Sequence, residues 1–224
     1  MSLLAGNIRA VTFDVGNTLI EVWPSVGHVY AEVASAYGHT GFSPEELNRR
    51  FRTVLNAHGK AVNTKREWAH IVEESFAGLL SRPISNEIFP ELYDRFVRAS
   101  AWRIFDDVEP TISVLRKRGM KLGVISNWDD RLRPLLHALG LADQFDVIVI
   151  SCEVGVSKPE RAIFETAVQQ LGVPAQDVLH VGDNFDMDVA GANAAGLHGV
   201  QVDRQATVLG EAQISSLLDL LKSE

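Results

Sequence analysis

The sequence predicts an α/β fold, a doubly wound parallel sheet interrupted after its first strand by four helices. Two observations carry that prediction. In the second half of the chain, short β-branched apolar runs are separated by helical segments of about 10–15 residues, the pattern of βαβ units. Between a first such run near the amino terminus and this series, Ser25 to about Ala99 reads as helix with no convincing strand.

Taken in order, Ile8–Phe13 is a buried strand that stops at Asp14 and turns at Gly16 and Asn17, both tolerant of positive φ. Val26–Tyr37 has apolar residues at helical spacing and ends at Gly38. Ser43-Pro44-Glu45-Glu46 supplies an N-cap, a proline at the first helical position and acids in the first turn, so a helix is expected to about His58. Thr64–Leu80 and Asn86–Val97 are further amphipathic segments. After Asp107 come helix Val108–Arg118, strand Lys121–Ile125, helix Arg131–Leu139, strand Phe145–Ile150, helix Glu160–Leu171 and strand Val178–Val181. Helix Asp186–Ala195, strand Gly199–Val202 and a terminal helix near Ile214–Lys222 complete the series. Residues 1–21 and 103–224 are thus expected to form the α/β core and 22–102 a helical insertion.

The 224 residues carry 21 Lys+Arg against 29 Asp+Glu, a net charge of −8. An acidic balance without a basic cluster argues against nucleic acid as the main partner. No apolar run approaches the ~20 residues that span a bilayer, so no membrane partner is expected. The amino-terminal stretch lacks the basic and long apolar regions of a signal peptide, and the single Cys152 permits no intrachain disulfide; both point to a reducing, cytoplasmic setting. The amphipathic helices of the insertion suit either a monomer or a homodimer.

In an open parallel sheet, ligands bind outside the carboxyl ends of the strands. The residues expected there are Asp14 to Thr18, Ser126-Asn127, Lys158, and Gly182-Asp183 with Asp188. Asp14, Asp183 and Asp188 would repel one another unless a cation joined them, and an oxygen-only set without His or Cys suits Mg²⁺. Such a set permits attack by Asp14 as a nucleophile. Lys158, the hydroxyls of Thr18 and Ser126, and loop N–H groups would then hold the negative charge of the transferring group. The Gly16 carbonyl could serve as a further metal ligand.

Asp14–Thr18, Ser126, Lys158 and Gly182-Asp183 through Asp188 resemble, in order and spacing, the four motifs of the haloacid dehalogenase-like (HAD) hydrolases. The run from His180 through Ala192 to Ala195-Gly196 is a close match. The resemblance covers essentially the whole chain, and the helical insertion is similar to that superfamily's C1-type cap. It implies Asp14 as nucleophile, Mg²⁺ held by Asp14, the Gly16 carbonyl and Asp183, and Asp188 supporting the metal or Lys158. Ser126, Lys158, Thr18 and Asn127 would bind phosphate, and the activity implied is hydrolysis of a small phosphorylated metabolite through an aspartyl-phosphate.

One position departs from the pattern. Phosphatases of this superfamily have a second Asp two residues after the nucleophile, where it acts as general acid and base; here it is Gly16. General acid–base catalysis is worth ~10²–10⁴ in rate. A haloacid dehalogenase-type hydrolase, or a catalytically impaired protein that binds a phosphorylated ligand, is therefore the alternative. Against the dehalogenase, Asp183 and Asp188 match the metal-binding fourth motif, whose first acid is typically neutral in those enzymes.

Other residues have plainer readings. Asp186 is expected as a helix N-cap, Asp129 and Asp130 as helix-start residues, His180 and Cys152 as core, and Trp23 and Trp128 as packing. His28, Arg49, Arg50, Lys60, Lys65, Arg66 and Trp68 are candidates to read the substrate from the insertion, although a solvated helix face is their commoner role.

Overall fold

The structure, a computed structural model, describes residues 3–4, 6–59, 62–80 and 88–222. In chain order the elements are β1 (Ala10–Phe13), β2 (Ile20–Val22), α1 (Val26–Ala36), α2 (Pro44–His58), α3 (Lys65–Ser75), α4 (Phe89–Arg95) and β3 (Trp102–Ile104). There follow α5 (Val108–Lys117), β4 (Lys121–Ser126), α6 (Leu132–Ala138), β5 (Val147–Ile150), α7 (Ser151–Val154), α8 (Arg161–Leu171) and β6 (Val178–Gly182). A π-helical segment (Phe185–Ala190), α9 (Gly191–Ala194), β7 (His198–Val202) and β8 (Gln213–Ile214) follow in turn. The chain divides into two units. One comprises Met1–Ile20, Ile104–Asn127 and Gly140–Glu224; the other comprises Glu21–Arg103 and Trp128–Leu139.

The first unit is an α/β layer built on a six-stranded sheet in the order β5-β4-β1-β6-β7-β8, parallel throughout. β1 is buried along its whole length, as is β4 apart from Lys121, the continuous burial expected of strands covered on both faces. Successive strands run outward from β1 to β4 and β5 on one side and to β6, β7 and β8 on the other. β1 is therefore the topological switch point, where a doubly wound sheet opens a crevice at its carboxyl edge. Asp14 is the next residue.

The second unit is helical, around a core that includes Val33, Leu47, Val72, Ile88 and Leu92. Tyr30 stacks on Phe76 with centroids 5.6 Å apart. α1 and α2 cross at Gly27, where a Cβ would lie 1.9 Å from the Pro44 carbonyl oxygen, so a larger residue would push the helices apart. Ser43 and Pro44 begin α2 as expected. Thr64 and Glu67 form a reciprocal capping box at the start of α3. The helix expected from Asn86 is described from Phe89; Asn86 and Lys60 lie outside the described residues.

Several local expectations differ from the structure. β2 and β3 pair as a two-stranded sheet; at three residues each they are too short to show alternation. Trp23 and the ion-paired Glu21 and Arg103 reinforce them, the guanidinium lying 3.8 Å from the Trp23 ring centre. The helix expected over 186–195 is divided between the π-helical segment and α9, and its N-cap is Asn184, whose side chain accepts from the Met187 amide at 3.0 Å, rather than Asp186. The terminal helix is instead β8 and a single 3₁₀ segment, Leu217–Leu221, capped by Ser216 and Asp219. Cys152 is half-buried on α7 rather than in the core.

The segment Trp128–Leu139, expected in the α/β core, groups with the helical unit, and its side chains show why. Arg131 is buried in an ion pair with Asp129 at 2.7 Å and lies 3.9 Å from the Tyr93 ring centre. The Tyr93 hydroxyl donates to Asp130 at 2.8 Å, and Trp128 packs against Trp102 at 5.4 Å. Asp129 and Asp130 thus serve these partners rather than only starting a helix.

Candidate active site

The site assembles at the carboxyl edge of β1, β4 and β6. The Asp14 amide donates to the Val181 carbonyl at 2.8 Å, carrying the β1–β6 register one residue past the strand and fixing where its carboxylate stands. Beyond it, the Val15 carbonyl accepts from the amides of Thr18, Leu19 and Ile20. That tight turn leaves the Gly16 carbonyl outside its bonding and holds Asn17 at φ 54°, a left-handed conformation asparagine tolerates better than most residues.

Around Asp14 three loops converge. Its Oδ1 accepts from the Ser126 hydroxyl at 2.9 Å and from Lys158 Nζ at 2.6 Å. The same ammonium donates to Asp188 Oδ1 at 2.6 Å, and the Lys158 side chain is only 2% exposed. Carboxylate oxygens of Asp14, Asp183 and Asp188 lie within 4.8 Å of one another. Five expected residues, Asp14, Ser126, Lys158, Asp183 and Asp188, therefore share one small volume.

Two further expected residues take other positions. Asn127 is committed to Lys158: its Nδ2 donates to the Lys158 carbonyl at 2.9 Å and its Oδ1 accepts from the Lys158 amide at 2.7 Å. It holds the lysine's backbone instead of presenting its amide to a ligand. Thr18 is fully buried, and its hydroxyl has no hydrogen-bond partner among the described residues.

Asp188 is the most constrained member. Its Oδ2 accepts from the Asn184 amide at 3.0 Å, and its Oδ1 is 3.2 Å from His180 Nε2. His180 is fully buried, and burial pushes its pKa down against the pull of Asp188. A neutral ring meets both neighbours by donating from Nε2 to Asp188 and accepting at Nδ1 from Thr12 Oγ1, 2.9 Å away. Gly182 makes room: a Cβ there would sit 2.1 Å from Asp188 Cγ.

The electrostatics follow from this crowding. Burial acts to lower the Lys158 pKa, but Asp14 and Asp188 outweigh it and hold the ammonium charged. Burial acts to raise Asp188, and Lys158 and His180 reverse that, keeping it ionised. Asp183 goes the other way: burial and the charge of Asp14 push it up to about 7, and among the described residues the Asn17 amide, 3.2 Å from its Oδ2, is the one side-chain donor to it. Three carboxylates face one ammonium. An all-oxygen donor set with uncompensated negative charge fits a hard divalent cation, and Asp14, Asp183 and Asp188 could hold one.

The residues proposed to read a substrate from the helical unit are mostly engaged within it. Arg49 and Arg50 pair with Glu46, Lys65 Nζ lies 4.6 Å from the Tyr93 ring centre, and Trp68 stacks on Phe51 at 6.5 Å. Arg66 is exposed. His28 Nδ1 is 2.7 Å from Ser25 Oγ, at the start of α1. Sequence reasoning assigned no site role to Asn17 or His180, because in the sequence neither is distinguishable from a turn asparagine or a core histidine.

A parallel doubly wound sheet with acids, a lysine and a serine gathered at its switch point defines an α/β protein with a candidate active site at that edge. Residues 8–196 match the family model of the haloacid dehalogenase-like hydrolases, and the chain belongs to that family. It is 32% identical over 209 residues to the haloacid dehalogenase-like hydrolase domain-containing protein 3 of Danio rerio, covering 88% of this chain and 86% of that one. It is likewise 32% identical over 216 residues to a glyceraldehyde 3-phosphate phosphatase of Methanopyrus kandleri, covering 88% and 84%. Among solved structures, the 2-haloacid dehalogenase of Pseudomonas syringae pv. Tomato aligns with a TM-score of 0.65 at 27% identity, covering 96% of each chain. None of the described helices is long and apolar enough to cross a membrane.

Proposed function

We propose that this chain is a Mg²⁺-dependent phosphatase of a small phosphorylated metabolite, working in the cytoplasm through an aspartyl-phosphate on Asp14. The observation that carries the reading is the carboxylate cluster of Asp14, Asp183 and Asp188 with Lys158 between two of its members. The phosphatase relative at 32% identity supports the same chemistry. In this reading the α/β unit is the catalytic core, and the helical unit, with Trp128–Leu139, is the cap that selects the substrate.

Ser126 and Lys158 hold one Asp14 oxygen, leaving Oδ2 without a hydrogen-bond partner among the described residues. Asp14 attacks the phosphorus, the Asp14 O–P bond forms and the ester P–O bond breaks, with its electron pair leaving on the alcohol oxygen. Lys158, held in place by Asn127 and Asp188, keeps positive charge beside the transferring group. Bound Mg²⁺, held by Asp14, Asp183 and the Gly16 carbonyl with Asp188 in support, would supply neutralisation of the charge between nucleophile and phosphoryl oxygens. Water then cleaves the acyl phosphate and regenerates Asp14.

Gly16 cannot protonate the leaving oxygen, so the reading favours substrates whose leaving group needs no proton: aryl phosphates, acyl phosphates and anhydrides. With p-nitrophenyl phosphate and Mg²⁺, phosphate release is expected, and it should vanish with Asp14→Asn or with chelator. Release that persists in Asp14→Asn would overturn the nucleophile. A second reading, carbon–halogen hydrolysis, is favoured by Gly16 and by the 27%-identical dehalogenase; halide release from a 2-haloacid in EDTA would select it.

A further inference from the structure

We infer that Arg204, which no motif includes, is a positioning residue that fixes the turn after the nucleophile and, through Asn17, the orientation of Asp183 toward Mg²⁺. The inference rests on the proposed role of Asp183 as a metal ligand. Arg204 lies two residues beyond β7. Its Nε donates to the Asn17 carbonyl at 3.3 Å and its Nη2 to the Thr18 carbonyl at 2.7 Å. The other edge of the guanidinium meets Asp107, Nη1 on Oδ2 at 2.8 Å and Nη2 on Oδ1 at 3.0 Å. Its flat face lies 3.7 Å from the Phe105 ring centre.

Every edge of the fork is thus used, and two of its targets are backbone carbonyls of the nucleophile turn. Asp107 does not float: it also accepts from Ser216 Oγ at 2.7 Å and from the Leu217 amide at 2.8 Å. The turn's amides are tied inward to Val15, and Arg204 ties its carbonyls outward. Between these restraints Asn17 keeps its left-handed backbone, and its amide reaches Asp183 Oδ2 at 3.2 Å. Asp183 has no cation partner in an ion pair among the described residues, so this amide is the contact that turns its carboxylate. Lysine could replace the charge of Arg204 but not the planar fork that serves two carbonyls and a carboxylate together.

The test is calorimetric titration of the full chain with Mg²⁺ alone, with thermal melting alongside. Partners that orient a metal-ligating group typically change affinity about 10- to 100-fold. Arg204→Met and Arg204→Lys are expected to weaken Mg²⁺ binding about 10-fold. Asn17→Gly, which keeps the left-handed backbone and deletes the amide, should reproduce that loss. Ser216→Ala loosens Asp107 from the other side; it should lower the melting temperature and leave Mg²⁺ affinity unchanged. Wild-type affinity in Arg204→Met, or an equal loss in Ser216→Ala, overturns the inference. Should Arg204→Met fail to fold, wild-type affinity in Asn17→Gly overturns it instead. A wild-type chain that binds Mg²⁺ but releases no phosphate from any ester would refute the proposed activity alone, and the affinity comparison would still decide the role of Arg204.

Discussion

Replacing Lys158 by methionine is the sharpest perturbation of the site, because the ammonium is buried and touches two carboxylates at 2.6 Å. The variant keeps much of the side-chain volume and removes the charge, leaving Asp14, Asp183 and Asp188 together with no cation. Deleting one partner of a buried ion pair costs ~3–5 kcal/mol, because the remaining charge stays buried without compensation. In a chain of this size 1 kcal/mol moves the melting temperature by about 2–4 °C. The expected drop in EDTA is therefore roughly 6–20 °C. Adding Asp188→Asn removes the second of the stranded charges, so the double variant should lose less than the sum of the single losses, the signature of coupled groups. Saturating Mg²⁺ should raise the melting temperature of Lys158→Met by more than that of the wild type, since the uncompensated cluster attracts a cation more strongly. Calorimetry in both buffers, with the turnover assay, gives all three readings. A Lys158→Met protein that melts within about 2 °C of wild type in EDTA would refute the claim that this lysine is the buried counter-ion of the cluster.

Gly16→Asp restores a carboxyl two residues after the nucleophile at a position whose φ is not among the positive ones. Turnover on alkyl phosphates should rise by ~10² or more, with aryl phosphates little changed; equal rates on alkyl substrates would show that the missing acid does not limit the reaction. Gly182→Ala places a Cβ 2.1 Å from Asp188 Cγ, forcing the carboxylate away from Lys158. A stability loss of about 1–3 kcal/mol is expected from overpacking, with turnover falling in step, read by denaturant melts and steady-state rates. Burial raises the Asp107 pKa, but Arg204, Ser216 and the Leu217 amide more than reverse this and hold it below the ordinary carboxylate value. Its stabilisation is therefore present above the unfolded-state pKa of about 3.9 and lost as pH falls through the lower folded value. Asp107→Asn should melt well below wild type at neutral pH and converge with it in acid; a gap constant with pH would refute the ion pair.

What was legible in the sequence follows the length over which each signal is written. The parallel sheet was legible because β1, β4, β5, β6 and β7 are apolar, β-branched runs punctuated by glycine and separated by helices. The convergence of Asp14, Ser126, Lys158, Asp183 and Asp188 was legible because each falls at or soon after a strand end, and the parallel order sends those ends to one edge. Elements of two or three residues, β2, β3 and β8, carry no periodicity and were not readable. The grouping of 128–139 with the helical unit depends on Arg131 finding Tyr93 38 positions earlier in the chain, and no local pattern encodes that contact. Asn127 and Arg204 were obscured for the same reason. Their roles lie in backbone groups they bind, Lys158 for one and Asn17 and Thr18 for the other, and a sequence shows side chains but not which carbonyls need a donor.

The distribution of restraint within the cluster argues for a metal more strongly than the presence of three acids does. Lys158 is clamped at its backbone by Asn127 and at its tip by two carboxylates. Asp188 is fixed by Lys158, His180 and the Asn184 amide, in a space only Gly182 leaves open. Lys158 and Asp188 offset each other's charge, and their remaining contacts are hydrogen bonds within the chain. Asp183 stands outside that balance, half-buried, supported among the described residues by the Asn17 side-chain amide, and pushed toward neutrality by burial and the charge of Asp14. In the proposed reading a cation from outside the chain would compensate the charge of Asp183, and Asp14 and the turn held by Arg204 are the other walls of the place where it would sit.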